Sequence, residues 1–195
     1  MQKAVLLIVV LSCRLAGYSQ VTDSVKDMRD GNIYKIVKIG NQWWMAENLR
    51  FKSDSGCWWY EEYPGFKKLF GGYYSFEVAK KVCPAGWHLP SDEEWQVLVD
   101  TLGGEKVAGG KLKLKSVWME PNAGATNETG FSAVPGGFRD LDSTFVMPGY
   151  IANYWTSTPT TWRSVYIRAA GHDNPGMGLG DYKPASGVNV RCIRD

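Results

Sequence analysis

The stretch that most constrains this chain is Cys83-Pro-Ala-Gly-Trp-His-Leu-Pro-Ser-Asp-Glu-Glu-Trp95. Before it, Val78, Ala79 and Val82 recur at helical spacing, which predicts a helix near 75–83. Pro84 and Gly86 stop that helix. After it, Ser91 is an N-cap with Glu94 three residues on, the pair that forms a capping box. Trp95, Leu98, Val99 and Leu102 then fall on one stripe, and Gly103-Gly104 ends the periodicity. A second helix over 91–102 follows. The segment is therefore a tight elbow between two helices, with Trp87 and Leu89 as its buried plugs. His88 is the titratable side chain of the elbow. The sequence predicts its ring nitrogens bonded to backbone, because a ligand or catalytic role needs Cys, His or carboxylate partners. The other histidine, His172, is linked to it by no motif.

Residues 1–19 read as a signal peptide. Lys3 gives a positive start, Ala4 to Ser12 a short apolar run, and Gly17 and Ser19 small residues before a cleavage at Gln20. The run is shorter than the ~20 apolar residues of a membrane span. Val10-Leu-Ser-Cys13 is a loose lipobox, so lipid anchoring through Cys13 is the alternative. Removing 1–19 takes away Lys3 and Arg14 and no acid, so the formal charge of +2 falls to zero. That balance gives no electrostatic footprint for nucleic acid or an anionic membrane.

Residues 20–28 are polar and read as a short tether, leaving 29–195 as a single domain. Asn32 to Ile39 and Gln42 to Ala46 form a hairpin about Gly40-Asn41. Glu47-Asn48 fixes the turn that follows. The aromatic-rich segment 50–75 reads as loop laid over the core. Val107-Ala-Gly-Gly-Lys-Leu-Lys-Leu-Lys115 alternates Leu and Lys, a strand-like pattern with one wet face. Arg139, Asp140 and Asp142 suggest an ion-paired turn. Tyr154 to Thr158 and Ser164 to Arg168 read as strands, and Gly171 to Gly180 as a flexible loop. Val188, Val190 and Cys192 alternate with Asn189 and Arg191, a half-buried final strand. With nine Trp and ten Tyr, most rings must be core, leaving a few for a surface that stacks on sugars.

The elbow resembles the signature of the Fibrobacter succinogenes major paralogous domain family. Asp30 to Tyr34, Val37 to Leu49, Gly130 to Arg139, Tyr154 to Ser157 and Gly187 to Asp195 match the family's other blocks in order. The resemblance implies a secreted or surface domain of C-type-lectin-like α+β fold. That fold sets two helices on a small, mostly antiparallel sheet with long irregular loops, its last strand returning beside the first. It brings no defined activity with it. Three cysteines remain after residue 19, and an exported chain meets an oxidising compartment. The resemblance implies a bridge between Cys83 and Cys192, as such folds join the first helix to the last strand. Cys57 is then unpaired, because the family's local partner for it is replaced by Tyr63-Pro-Gly-Phe66.

Glu120-Pro-Asn122 is the tripeptide with which mannose-type lectins hold calcium and sugar, but Trp-Asn-Asp is absent, and Tyr154-Trp-Thr-Ser157 stands in its place. Calcium wants about 6–8 oxygen ligands, so no metal site is predicted at Glu120 and Asn122. Asn127-Glu-Thr129 matches a glycosylation sequon, which bacterial export makes uninformative. No catalytic motif or cofactor signature is present. The expectation is a non-catalytic binding module for a glycan or a surface protein, its ligand surface on the loops 104–129 and 158–185. Trp118, Asn122, Trp162 and Asp173 are the candidate contacts. The alternative is a structural or adhesive component of a cell-surface assembly. A third reading, an enzyme like the formylglycine-generating oxidases, would need two reactive thiols close together.

Overall fold

The computed structural model describes residues 21–60 and 65–195; the expected signal peptide, and the alternative anchor at Cys13, lie outside the described residues. Five strands form the main sheet: β1 (Thr22–Lys26), β2 (Ile33–Ile39), β3 (Gln42–Met45), β6 (Trp87–His88) and β12 (Ile193–Arg194), in the order β1-β2-β3-β12-β6. Every pairing is antiparallel. Between them in the chain come β4 (Cys57–Trp59), α1 (Phe66–Phe70), β5 (Gly72–Tyr74) and α2 (Phe76–Ala79). The elbow leads into α3 (Asp92–Thr101) and α4 (Glu105–Leu112). A small hairpin, β7 (Phe138–Arg139) with β8 (Phe145–Val146), precedes a second sheet of β9 (Ile151–Pro159), β10 (Val165–Gly171) and β11 (Gly178–Tyr182).

The elbow and its following helix are as expected. Ser91 Oγ accepts the Glu94 N–H at 3.1 Å, and Glu94 Oε2 accepts the Ser91 N–H at 2.7 Å. Trp95, Leu98, Val99 and Leu102 are buried, as are Trp87 and Leu89. Trp95 lies against Trp44 and Tyr154, at 4.6 and 5.4 Å between ring centroids. The helix before the elbow is shorter than predicted and ends at Ala79. Pro84 disfavours helical geometry at Cys83, and the chain must turn inward to deliver that sulfur. Cys83 and Cys192 form a disulfide with Cα atoms 5.9 Å apart, closing a separation of 109 residues. A loop of that length stabilises the fold by about 2–5 kcal/mol. Cys57 is free and half-buried.

Several readings change. Four helices are present among the described residues where two were expected, the 50–75 stretch read as loop holds β4, α1 and β5, and β11 begins inside the 171–180 stretch read as a flexible loop. Thr22–Lys26 is no tether but an edge strand in register with β2, Val25 opposite Tyr34. Only Val25 of the five packs on the core, so apolar alternation could not announce it, and a polar edge protects against pairing with other chains. Residues 107–112 are helix, not strand. Gly109 and Gly110 act there as close-approach residues: a Cβ would fall 1.8 Å from the Gly176 carbonyl oxygen and 2.4 Å from that of Gly124. Lys113, expected on a wet face, is fully buried and donates to the Gly171 and Asn174 carbonyls at 2.8 and 3.0 Å. Burial holds its pKa below the ordinary lysine value. Arg139 makes no ion pair with Asp140 or Asp142; it donates to Ser143 Oγ and lies 4.2 Å from the Trp58 ring centroid.

The last segment departs furthest from a half-buried strand. Asn189 and Arg191 are as buried as Val188, Val190 and Cys192. The terminal strand β12 lies between β3 and β6, with β2 and β3 separating it from β1, so the expected pairing with the first strand is not formed. Arg191 Nε donates to Asn48 Oδ1 at 2.6 Å, Nη1 to the carbonyls of Met45 and Phe131, and Nη2 to that of Ser132 at 2.9 Å. Asn48 Nδ2 passes the chain of bonds on to the Phe70 carbonyl. Asn189 Nδ2 reaches the carbonyls of Phe70 and Gly72. The segment is thus a cross-brace among the first hairpin, the 66–74 region and the 131–132 turn.

His88 bonds to carboxylates rather than backbone: Nδ1 to Asp195 Oδ1 at 2.6 Å and Nε2 to Glu94 Oε1 at 2.9 Å. Both nitrogens are donors only in the imidazolium. Burial disfavours that cation, but the two bonded carboxylates outweigh it and raise the pKa above the ordinary value. A histidine pKa higher in the folded than in the unfolded chain stabilises the fold fully below the unfolded value of about 6.5 and loses that stabilisation as pH rises through the folded value. Urea unfolding across pH 5–9 should show this loss in the wild type and not in His88→Gln. A stability difference between the two that does not vary with pH would contradict it.

Candidate ligand-binding site

The four expected contact residues do not converge. Trp118 is buried, its indole N–H donating to the Ala133 carbonyl at 3.1 Å with the Lys113 ammonium 5.2 Å from its ring centroid. It belongs to the core that carries α3 and β9. Asn122 and Asp173 do come to one end of the second sheet. Ala123 N–H donates to the His172 carbonyl at 2.8 Å, and His172 Nδ1 to that of Glu120 at 2.9 Å. Trp162 lies at the opposite end, on the tip joining β9 to β10, about 20 Å away along the strand.

At the first end, Asn122 is half-buried and used as a clamp. Its Nδ2 donates to the carbonyls of Leu114 and Lys115 at 3.1 and 3.2 Å, while its Oδ1 is buried without a partner. The surface beside it is apolar: Met119, Met147 and Tyr150 are exposed, and Tyr150 meets His172 edge-on at 5.2 Å. Among the described residues no three His, Cys, Asp or Glu side chains group as metal ligands.

The other end has a shape that can hold a ligand. The β7–β8 hairpin, the end of β11 and the β9–β10 tip enclose a groove of about 450 Å³. Two tilted rings line it, Phe138 and Tyr182, with centroids 4.4 Å apart and planes 30° apart. Asp140 and Asp181 supply carboxylates, Arg163 and Lys183 cations. The side chains of Asp181 and Lys183 have no partner among the described residues, so their hydrogen-bonding capacity is open to a ligand. Burial pushes the Tyr182 hydroxyl up to about 12, with the Asp140 charge adding to it, so at neutral pH it is a proton donor. Beside the groove Trp162 is 82% exposed, with the Arg163 guanidinium 4.1 Å from its ring centroid. Thr160 N–H to the Ser164 carbonyl, 3.0 Å, closes the tip that presents both residues.

Trp162 is exposed as expected, but the 158–185 stretch is not a surface loop throughout: it carries β10 and β11, with Val165, Ile167, Arg168, Ala170 and Met177 buried, and Phe138, Asp140, Asp181 and Tyr182 were not among the candidates. Their signal was present as aromatics flanked by charge, Phe138-Arg-Asp140 and Asp181-Tyr-Lys183, in runs read only as turn and loop.

The fold and the grooves define a mixed α/β domain of small antiparallel sheets and few helices, with no described helix long and apolar enough to cross a membrane. Residues 37–194 match the family model of the Fibrobacter succinogenes major domain, and the chain belongs to that family. No curated protein and no solved structure matches it.

The two tryptophans should separate cleanly by mutation. Trp118→Ala is expected to cost about 3–5 kcal/mol of folding stability, because it opens a core cavity and leaves the Ala133 carbonyl without its donor. Trp162→Ala is expected to fall within about 0.5 kcal/mol of wild type. Denaturant unfolding of both variants checks this; equal losses would contradict the assignment of one ring to the core and the other to the surface.

Proposed function

We propose that this chain is an exported, non-catalytic binding module of C-type-lectin-like fold that recognises carbohydrate in the groove between the β7–β8 hairpin and the β9–β10 tip. The observation that carries the reading is the combination of Phe138 and Tyr182 with the unpartnered Asp181 and Lys183 in a groove of about 450 Å³. A sugar ring has an apolar C–H face, which aromatic surface covers. Its hydroxyls need both acceptors and donors: carboxylates accept, while Lys, Arg and a neutral Tyr hydroxyl donate. The volume lies within the usual range for small-ligand pockets. Loops held on a rigid scaffold are the ordinary place for such contacts.

Cysteine chemistry supports this over an oxidase. Two of the three described cysteines are bridged, and the third is half-buried with its thiol pKa raised by burial, the wrong direction for a reactive thiolate. A role within a surface assembly has its own support in the exposed Met119, Met147 and Tyr150. Methionine surfaces adapt to protein partners.

A glycan-array screen of the chain without residues 1–19 tests the carbohydrate reading. Binding should be insensitive to calcium, unchanged in Asn122→Ala, and weakened at least about tenfold in Asp181→Ala and in Tyr182→Ala. Failure to bind any glycan, or binding that survives both groove substitutions, would overturn it.

A further inference from the structure

β11 carries glycine at alternate positions, Gly178 and Gly180, and neither has a positive φ, so the backbone there does not call for glycine. Glycine inside a strand weakens it and often marks a place where a ligand or another backbone approaches closely. Alternate residues of a strand share a face, and so do residues directly opposite on paired strands. Gly178 lies opposite Ala169, Ala169 opposite Asn153, and Gly180 opposite Ile167. The small residues therefore gather on one face of the second sheet. Among the described residues, a Cβ at Gly178 would meet only the Ala169 carbonyl oxygen, at 3.9 Å, and one at Gly180 only the end of the Ile167 side chain, at 3.3 Å. The space they leave is a depression of about 380 Å³, bounded by Ile151, Asn174 and Tyr182.

A second feature points to a ligand. Asn153 is 1% exposed and lines this depression. Its Nδ2 donates to the Gly137 carbonyl at 3.3 Å, and that acceptor fixes which end of the amide is nitrogen. Its Oδ1 accepts no hydrogen bond among the described residues. A buried acceptor left unmet is costly, so a donor brought in from outside is favoured. Asp181 is the one charged side chain among the described residues that line the depression. Asp181 and Tyr182 also line the groove beside Phe138, so the two hollows are joined through them. From Gly178 to Tyr182 the strand runs about 14 Å, longer than one sugar ring.

We propose that the carbohydrate site continues past Asp181 and Tyr182 onto this face, and that its ligand is an oligosaccharide, with one ring beside Phe138 and Tyr182 and an uncharged ring over Gly178. This rests on the carbohydrate reading of the Tyr182 groove and extends it from a single sugar to a chain. The floor of Gly178, Gly180 and Ala169 takes the flat of a ring, and Asn153 Oδ1 accepts from one of its hydroxyls. With a carboxylate and no cation lining this end, a uronic acid unit is disfavoured there.

Nitrogen-15 NMR titration of the chain without residues 1–19 tests the proposal. The probes are glucose, xylose and N-acetylglucosamine, their tetramers cellotetraose, xylotetraose and chitotetraose, and tetragalacturonate. The Gly178, Gly180 and Tyr182 amides should all shift with at least one neutral tetrasaccharide. That tetrasaccharide should bind at least about tenfold more tightly than its monosaccharide. Gly178→Leu fills the depression and should remove this advantage. Its side chain enters open space on an edge strand, so the variant folds, and unchanged amide shifts away from the second sheet verify that. Shifts at Tyr182 without shifts at Gly178 and Gly180, or a Gly178→Leu chain that binds the tetrasaccharide like wild type, would overturn the extension and leave the groove reading standing. Shifts at Gly178 with tetragalacturonate and with no neutral tetrasaccharide would overturn it as well. No amide shift with any sugar at about 10 mM would overturn both readings.

Discussion

The guanidinium of Arg191 is the interaction on which this fold most depends. Its acceptors come from the end of β3, from Asn48 beyond it, and from the 131–132 turn, so one side chain ties segments 60 and 143 residues away in sequence. A buried charge is unfavourable unless its donors are met. Here carbonyl dipoles meet them, and the rings of Phe131 and Tyr154 lie 4.4 and 5.5 Å from the cation. Burial lowers the Arg191 pKa, as expected for a desolvated cation with no direct ion pair. Next to it, the Cys83–Cys192 bridge fixes the same strand to the elbow, and His88 bonds to Asp195 beyond it. Three kinds of interaction thus hold one short C-terminal segment against the first hairpin and α3.

The parts legible in sequence are those whose signal is local. The capping box at Ser91 and Glu94, the stripe from Trp95 to Leu102 and the turn at Gly40-Asn41 each need only neighbours along the chain. The parts that misled are those decided across the fold. Gly109 and Gly110 belong to a run that looks like a strand until the backbone of 175–176 and 124 lies against them. Asn189 and Arg191 look like the wet side of a strand until the first hairpin and the 131–132 turn cover them. Lys113 looks solvated, yet the 171–174 loop supplies carbonyls to its ammonium. In each case a distant segment supplies the partner that a linear reading cannot see.

The same division holds for function. A lectin-like tripeptide drew attention to Asn122, but its amide clamps the 114–115 backbone. The groove proposed to take a ligand is assembled from separated pieces, Phe138 on the β7–β8 hairpin and Tyr182 at the end of β11.

The most direct test of this account is native-state hydrogen exchange on wild type and Arg191→Met, a change that keeps the bulk and removes the donors. The Met45 and Leu49 amides donate to the Cys192 and Val190 carbonyls and report whether the terminal strand stays docked on the hairpin. The account predicts that in wild type they exchange only through global unfolding. In Arg191→Met they should open locally, with a global loss above about 3 kcal/mol as several buried carbonyls lose their donors. Unchanged protection at Met45 and Leu49, with stability within about 1 kcal/mol of wild type, would contradict it.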